Sequence, residues 1–174
     1  MKRATPITTL FVDVSGVLLT TGWDHHAHRR AAKKFRLEWT ELEDRHSLNF
    51  DIYEEGKLTL QEYLGRVVFY KKRSFTRAEF RRFIFSQSQP YPKMLDLIRS
   101  LKAHYGLRIA VVSNESREVN AYQILKFKLD GFVDIFISSC FVHARKPDTD
   151  FRSSCAKLAT FGLQNDEGVI HENS

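Results

Sequence analysis

Three apolar segments of the chain each lead into residues that can do chemistry. Asp13 follows the first segment, Ser113 and Asn114 follow the second, and Lys146 lies in the loop after the third. Because open α/β sheets place their ligands at the carboxyl ends of the strands, we expect these side chains to converge. A carboxylate that attacks phosphorus, beside a hydroxyl and an ammonium that stabilise charge on its oxygens, suits phosphoryl transfer. A divalent cation would normally shield such a carboxylate from its anionic target.

The apolar segments themselves predict a parallel sheet. They cover residues 7–12, 108–112 and 135–137, and their largely continuous apolar runs are typical of strands covered on both faces. Gly16 permits a sharp turn just after the first of them. A helical pattern precedes the second strand and another precedes the third, and this alternation favours an α/β fold with right-handed crossovers.

A helical region separates the first strand from the rest of that sheet. Asp24 is a candidate N-cap, and three Thr-x-x-Glu patterns predict capping boxes that open further helices. The three patterns are Thr40 with Glu43, Thr59 with Glu62, and Thr76 with Glu79. Residues from about 22 to 88 are therefore predicted to be all-helical. We interpret the basic clusters at residues 25–34 and 71–82 as solvated helix faces.

Composition bounds the remaining possibilities. The 174 residues, 43% of them hydrophobic, suit one compact domain or a core with a small insertion, and the formal charge of +6 suits an anionic ligand. The hypothesis that the protein binds a nucleic acid rests on that charge alone and is the weakest alternative. Cys140 and Cys155 show no metal-ligand or pairing pattern, and no apolar stretch is long enough to span a membrane. We therefore expect a cytoplasmic protein with reduced thiols.

Taken together, the motifs resemble those of the haloacid dehalogenase-like hydrolase superfamily. FVDVSGVLL resembles its first motif, usually Asp-x-Asp-Gly-x-Leu, while VVSNES and RKPD resemble the second and third. YEEGKLTLQEYL resembles the helical cap that one branch inserts after the first motif. The resemblance implies a Rossmann-like, doubly wound parallel sheet formed by residues 1–20 and 89–174, with an all-helical cap at 21–88.

The resemblance also implies roles for individual residues. Asp13 would be the nucleophile that forms an aspartyl intermediate, and the backbone carbonyl of Ser15 would help Asp13 to bind Mg²⁺. Ser113 and Lys146 would bind the phosphate, and Lys146 would also hold Asp13. Asn114 could contact the substrate, and the cap would exclude water and select that substrate.

The chain departs from the family pattern at two places. Ser15 stands where phosphatases of this family carry an aspartate that acts as general acid and base, a function worth roughly a hundred- to ten-thousand-fold in rate. The chain also lacks the usual form of the family's acidic fourth motif, which supplies a metal ligand. Either Glu172 supplies that ligand, or the segment is missing between Asp148 and Thr149; Asp148 itself could position its loop or lie near the metal.

These features leave several functions open. The leading hypothesis is a Mg²⁺-dependent phosphatase that acts on a small phosphorylated metabolite and whose activity Ser15 would impair. One alternative is a catalytically disabled relative that binds a ligand or protein. Another is a metal-independent 2-haloacid dehalogenase that uses Asp13 on a carbon centre.

Overall fold

Three parallel strands form the sheet in the part of the chain that the structure describes. The computed structural model describes residues 7–151 and 153. Within them, β1 (Thr9–Val12), β2 (Arg108–Ser113) and β3 (Ile135–Ser138) lie in the order β1-β2-β3. Both pairs are parallel, so the carboxyl ends of all three strands meet at one edge. The predicted α/β fold with a parallel sheet is confirmed.

Helices account for most of the rest of the described chain. Five of them separate β1 from the helix that precedes β2, as the cap pattern predicts. In chain order the helices are α1 (His25–Phe35), α2 (Trp39–Ser47), α3 (Phe50–Glu54), α4 (Leu60–Val67), α5 (Arg77–Gln87), α6 (Pro92–Tyr105), α7 (Arg117–Phe127) and α8 (Ser139–Val142).

Local sequence signals set the starts of three of these helices, α1, α4 and α5. The carboxylate of Asp24 accepts a hydrogen bond from the backbone N–H of Ala27 at 2.8 Å and so caps α1. The capping boxes of Thr59 and Thr76 are both complete, which confirms those two predictions. Each cap satisfies backbone donors that the first helical turn leaves open, a contribution of about 1 kcal/mol.

The predicted capping box of Thr40 with Glu43 is wrong. Helix α2 begins at Trp39, one residue before Thr40, and its N-cap is Glu38. The Glu38 carboxylate accepts from the N–H groups of Thr40 and Glu41. Glu38, two residues before the predicted cap Thr40, thus satisfies the free donors, and the side chain of Glu43 is available for another contact.

Two hydrophobic clusters hold the described residues together. One lies among α1 to α5 and includes the fully buried Tyr63 and Phe80. The other lies against the sheet and includes Leu18 and Ile109. Burial of each such side chain contributes about 2–3 kcal/mol. Phe11 of β1 is 50% exposed, so the prediction of a strand covered on both faces is wrong there: its side chain points away from the cluster that its neighbours join.

The chain crosses between the two clusters along two adjacent segments. Leu19 and Pro90 form an isolated antiparallel bridge. The N–H of Thr20 donates to the carbonyl of Gln89 at 2.8 Å, and the N–H of Tyr91 donates to the carbonyl of Leu18 at 2.9 Å. The helical region from α1 to α5 is therefore attached through a short, hydrogen-bonded pair of linkers.

Candidate active site

Asp13 and Lys146 meet at the carboxyl ends of the strands, as the sequence predicts. The ammonium of Lys146 donates to Oδ2 of Asp13 at 2.5 Å and to the carbonyl of Val112 at 2.8 Å. Asp13 follows β1 directly, whereas Lys146 reaches it from the loop after α8. About 37% of the Asp13 side chain stays exposed, so the carboxylate is held on one side and accessible on the other.

Asn114 fixes the loop that carries this lysine. Its side-chain oxygen accepts from the backbone N–H of Lys146 at 2.8 Å, and its amide donates to the backbone carbonyl of Lys146 at 3.0 Å. The N–H of Asp148 donates to the carbonyl of Arg145 at 2.7 Å, which closes a turn around the lysine. The Asp148 carboxylate also lies 3.4 Å from the backbone nitrogen of Arg145, and its predicted role in positioning the loop stays a prediction. The predicted substrate contact of Asn114 stays a prediction.

A cavity of about 380 Å³ opens beside the Asp13–Lys146 pair. One side, which we call the core wall, comes from residues that follow β1 and β2 and from the loop of Lys146. The opposite side, which we call the cap wall, comes from α1, α2 and α3 and from the segment that leads into them. The core wall is Asp13, Ser15, Asn114, Glu115 and Lys146, and the cap wall is Trp23, His28, Glu43, His46, Tyr53 and Glu54.

Ser113 does not line this cavity. Its hydroxyl is fully buried and lies 3.3 Å from the hydroxyl of Ser138, its partner on β3. Ser138 in turn donates to the side-chain oxygen of Asn120 at 3.0 Å, so the Ser113 hydroxyl donates to Ser138. The structure therefore brings Asp13 and Lys146 together without this side chain, and the predicted phosphate contact of Ser113 stays a prediction.

Glu115 is a core-wall residue that the sequence analysis missed. Its Oε1 accepts a hydrogen bond from the Ser15 hydroxyl, and the amide of Gln123 lies 3.5 Å from the same oxygen. Burial raises the pKa of Glu115 to about 7; the nearby Asp13 adds to this, and the hydrogen bonds oppose it. Glu115 lies within the quoted VVSNES segment, so its place two residues after Ser113 was the available signal.

The cap wall contains a buried histidine bonded to a carboxylate. Nδ1 of His28 lies 2.6 Å from Oε1 of Glu43, and Nδ1 of the more exposed His25 lies 3.2 Å from Oε2. Burial lowers the pKa of His28, so the neutral ring donates its Nδ1–H to Glu43. For Glu43, burial acts to raise the pKa, but the bonds from His28 and His25 outweigh it and the net shift is downward. The interpretation of this basic segment as a solvated face is therefore wrong at His28, which is 1% exposed.

A second histidine of the cap wall is also held neutral. Burial lowers the pKa of His46 to about 4, and the neighbouring His28 adds to this shift. The hydroxyl of Tyr63 accepts from the indole N–H of Trp23 at 2.9 Å and lies 2.7 Å from Nδ1 of His46. With His46 neutral, Tyr63 donates to that nitrogen, and the indole, phenol and imidazole form one continuous chain.

Arg145 connects the two walls. Its Nε lies 2.7 Å from Oε2 of Glu54, and its guanidinium also pairs with Asp51. Burial raises the pKa of Glu54 to about 7, although the charge of Arg145 opposes the shift. Because Arg145 immediately precedes Lys146, this contact ties α3 of the cap wall to the lysine loop.

The described residues provide only part of a magnesium site. The Asp13 carboxylate and the backbone carbonyl of Ser15 are oxygen ligands of the type that Mg²⁺ prefers. Glu172, predicted as a further ligand, lies outside the described residues. Within residues 7–151 and 153, no group of three or more His, Cys, Asp or Glu side chains is arranged to hold a metal ion. The donor set of this part of the chain therefore does not complete a metal centre.

The fold and the site together define a class of protein. A parallel α/β core presents a carboxylate–lysine pair at its strand ends, under an inserted set of helices. The model of the haloacid dehalogenase-like hydrolase family matches residues 7–160, and the chain belongs to that family. None of the curated proteins compared with it matches the chain.

Solved structures with the same fold include hydrolase relatives of two kinds. A HAD family enzyme from Bacteroides thetaiotaomicron aligns with a TM-score of 0.73 at 18% identity, over 90% of this chain and 80% of that one. The wild-type form of that enzyme in complex with magnesium and inorganic phosphate aligns with a TM-score of 0.72 at 18% identity, over 89% and 80%. L-2-haloacid dehalogenase from Xanthobacter autotrophicus aligns with a TM-score of 0.58 at 16% identity, over 89% and 66%. No helix among the described residues has the length and apolar character needed to cross a membrane.

Proposed function

We propose that this protein is a phosphatase that transfers the phosphoryl group of a small phosphorylated metabolite to Asp13 and then to water. The observation that carries the proposal is the Asp13 carboxylate, bound at 2.5 Å by Lys146 and still accessible beside the cavity. A cavity of about 380 Å³ is of the size that accommodates a small molecule.

The charges at the core wall suit the binding of a phosphate group. Lys146 neutralises part of the charge on Asp13 and can also face a phosphate oxygen, which lowers the repulsion between two anions. Asp13 then attacks phosphorus, and the bond to the leaving oxygen breaks. Water attacks the aspartyl phosphate in the second half of the reaction and regenerates the carboxylate.

The helices α1 to α5 would close the site over the substrate. We propose that residues 21–88 act as a cap on a core formed by residues 1–20 and 89–174. The cap wall then contacts whatever part of the metabolite lies beyond its phosphate, and its closure excludes water. Its neutral histidines and its carboxylates favour a partner rich in hydroxyl groups over a second phosphate.

Magnesium dependence is part of this proposal. A bound Mg²⁺ would offset negative charge between Asp13 and the phosphate. Support comes from the Bacteroides enzyme, which was crystallised with magnesium and phosphate. Among the described residues, the Asp13 carboxylate and the backbone carbonyl of Ser15 would hold the ion.

The test is a phosphatase assay on p-nitrophenyl phosphate and a panel of sugar and polyol phosphates. Turnover should require Asp13: we expect Asp13→Asn to lower kcat at least about a thousandfold, because the nucleophile is lost. Asp96→Asn, a change at an exposed carboxylate of α6, is the matched control and should leave kcat unchanged. Magnesium and a chelator are added in separate arms.

Two outcomes would contradict the proposal. The first is no Asp13-dependent phosphate release from any substrate with magnesium present. The second is chloride release from 2-chloropropionate in the presence of the chelator, which would instead identify a dehalogenase. A purified, folded protein inactive in both assays would favour a binding role for the same cavity.

A further inference from the structure

We propose that Glu115, acting through the hydroxyl of Ser15, supplies the proton transfer that position 15 lacks. The inference rests on the proposed phosphatase function and assigns a task to Glu115, to which the resemblance gives no role. Serine alone is too weak an acid and too weak a base for this task at neutral pH. A carboxyl group within hydrogen-bond reach of that serine removes the deficiency.

The geometry points to Glu115 among the acids that line the cavity. Its carboxylate accepts directly from the Ser15 hydroxyl, and both residues lie on the core wall beside Asp13. Glu43 is instead bonded to two histidines, and Glu54 is paired with Arg145. Those acids belong to the cap wall, whereas Glu115 is bonded to the residue at the position in question.

The position of Glu115 is fixed by the core. Its backbone N–H donates to the hydroxyl of Ser139 at 3.1 Å, and that hydroxyl is itself bonded to the carbonyl of Glu54 at 2.7 Å. The residue is 8% exposed, and among the described residues its side chain makes no hydrogen bond or ion pair with a cation; the nearby Lys146 acts on it only through its charge. A glutamine would make the same bond to Ser15 without the cost of burying an acid. An acid at this position therefore indicates a use for its proton.

The proton movements balance in both half-reactions. In the first, Asp13 bonds to phosphorus and the electron pair of the breaking P–O bond goes to the leaving oxygen. Ser15 gives its proton to that oxygen and takes one from the Glu115 carboxyl group, which becomes a carboxylate. In the second, water bonds to phosphorus and passes a proton through Ser15 to Glu115, while the electron pair of the Asp13–phosphorus bond returns to Asp13.

The leaving group provides a test that a merely structural role would not pass. p-Nitrophenolate leaves without a proton, whereas phenolate, a much stronger base, needs one. The quantity to compare is kcat/KM, since it reports events only up to formation of the aspartyl phosphate. We expect Glu115→Gln to lower kcat/KM roughly a hundredfold or more for phenyl phosphate, but less than about tenfold for p-nitrophenyl phosphate.

Two further variants make the test decisive. Ser15→Ala should give the same unequal losses, and it carries the test if Glu115→Gln fails to fold. Ser15→Asp combined with Glu115→Gln should return phenyl phosphate turnover to within about tenfold of the unmodified protein, because the new carboxyl group acts directly. Glu54→Gln, a buried acid of the cap wall, is the matched control, and any loss it causes should be equal for the two substrates.

The possible failures are distinct. Equal losses for both substrates in Glu115→Gln and Ser15→Ala, with Asp13-dependent turnover intact, would overturn the role of Glu115 and leave the phosphatase proposal standing. Failure of the double variant to recover phenyl phosphate turnover would also overturn it. An absence of Asp13-dependent turnover would overturn both proposals together.

Discussion

The two walls of the cavity are built in opposite ways. The core wall presents a charged pair, Asp13 with Lys146, in which the carboxylate is bound on one side and accessible on the other. The cap wall presents histidines that burial keeps neutral and carboxylates that are already bonded to them or to Arg145. The core wall has the polarity to attract an anion, whereas the cap wall has groups suited to hydrogen bonding.

The difference follows from the elements that form each wall. Parallel strands bring their ends to one edge, so residues far apart in sequence converge with little freedom. The cap helices instead place polar groups inside a separate hydrophobic cluster, where desolvation decides their protonation. Under the proposed function, the core wall performs the chemistry and the cap wall selects the substrate. Three substitutions test this division of roles.

The largest effect is expected at the core wall. Lys146→Met removes the cation that contacts Asp13 and the carbonyl of Val112, so charge on the phosphate is no longer stabilised. We expect kcat/KM for p-nitrophenyl phosphate to fall roughly a thousandfold, at the upper end of the loss for one such donor. Lys93→Met, on the exposed side of α6, is the control. A loss below about tenfold would contradict the role given to the core wall.

A smaller effect is expected from the neutral histidine of the cap wall. The pKa of His46 is lowered to about 4 in the folded protein, below its ordinary value of 6.5. Stability from this group is thus present above pH 6.5 and is lost as pH falls toward 4, up to about 3 kcal/mol across that window. His46→Gln should remove that part of the acid sensitivity. Urea unfolding of both proteins at pH 7 and pH 4.5 measures it, and equal pH dependence would show that His46 is not held neutral.

The smallest effect concerns substrate choice. Glu43→Gln removes the charge of the carboxylate that is hydrogen-bonded to His25 and His28, while the side chain keeps its size. We expect kcat/KM to fall roughly ten- to a hundredfold for the preferred metabolite, but to change little for p-nitrophenyl phosphate, which lacks a polyol group. Equal losses for both substrates would mean that the cap wall serves the chemistry rather than the choice of substrate.

The sequence was most informative about the strands and their ends. Apolar runs that stop at Asp13, Ser113 and the Lys146 loop predicted a parallel sheet and the convergence of an acid with a lysine. The structure confirms the sheet and brings those two side chains together. In the structure the Ser113 hydroxyl contacts Ser138 of β3. The sequence could not predict this orientation, because spacing along a strand does not reveal which way a terminal side chain points.

The cap wall could not be derived in the same way. The basic pattern around His28 is compatible with a solvated helix, and its burial depends on how α1 packs against α2. The cap of α2 is Glu38, which leaves Glu43 free to bond to His28, and this arrangement also depends on tertiary packing. Glu115 was missed because a glutamate after a strand is ordinary until its contact with Ser15 is known.

The paired linkers around Leu19 and Pro90 have a consequence for how such a protein can change. Since the inserted helices enter and leave through neighbouring segments, their exchange need not disturb β1, which leads into Asp13, or the bonds from Asn114 that fix the Lys146 loop. A new insertion would have to replace the contact between Glu54 and Arg145. A short hairpin joining Thr20 to Gln89 would span the same gap. Under the proposed function, a new specificity would arise when a different insertion is joined at this point while Asp13 and Lys146 are kept.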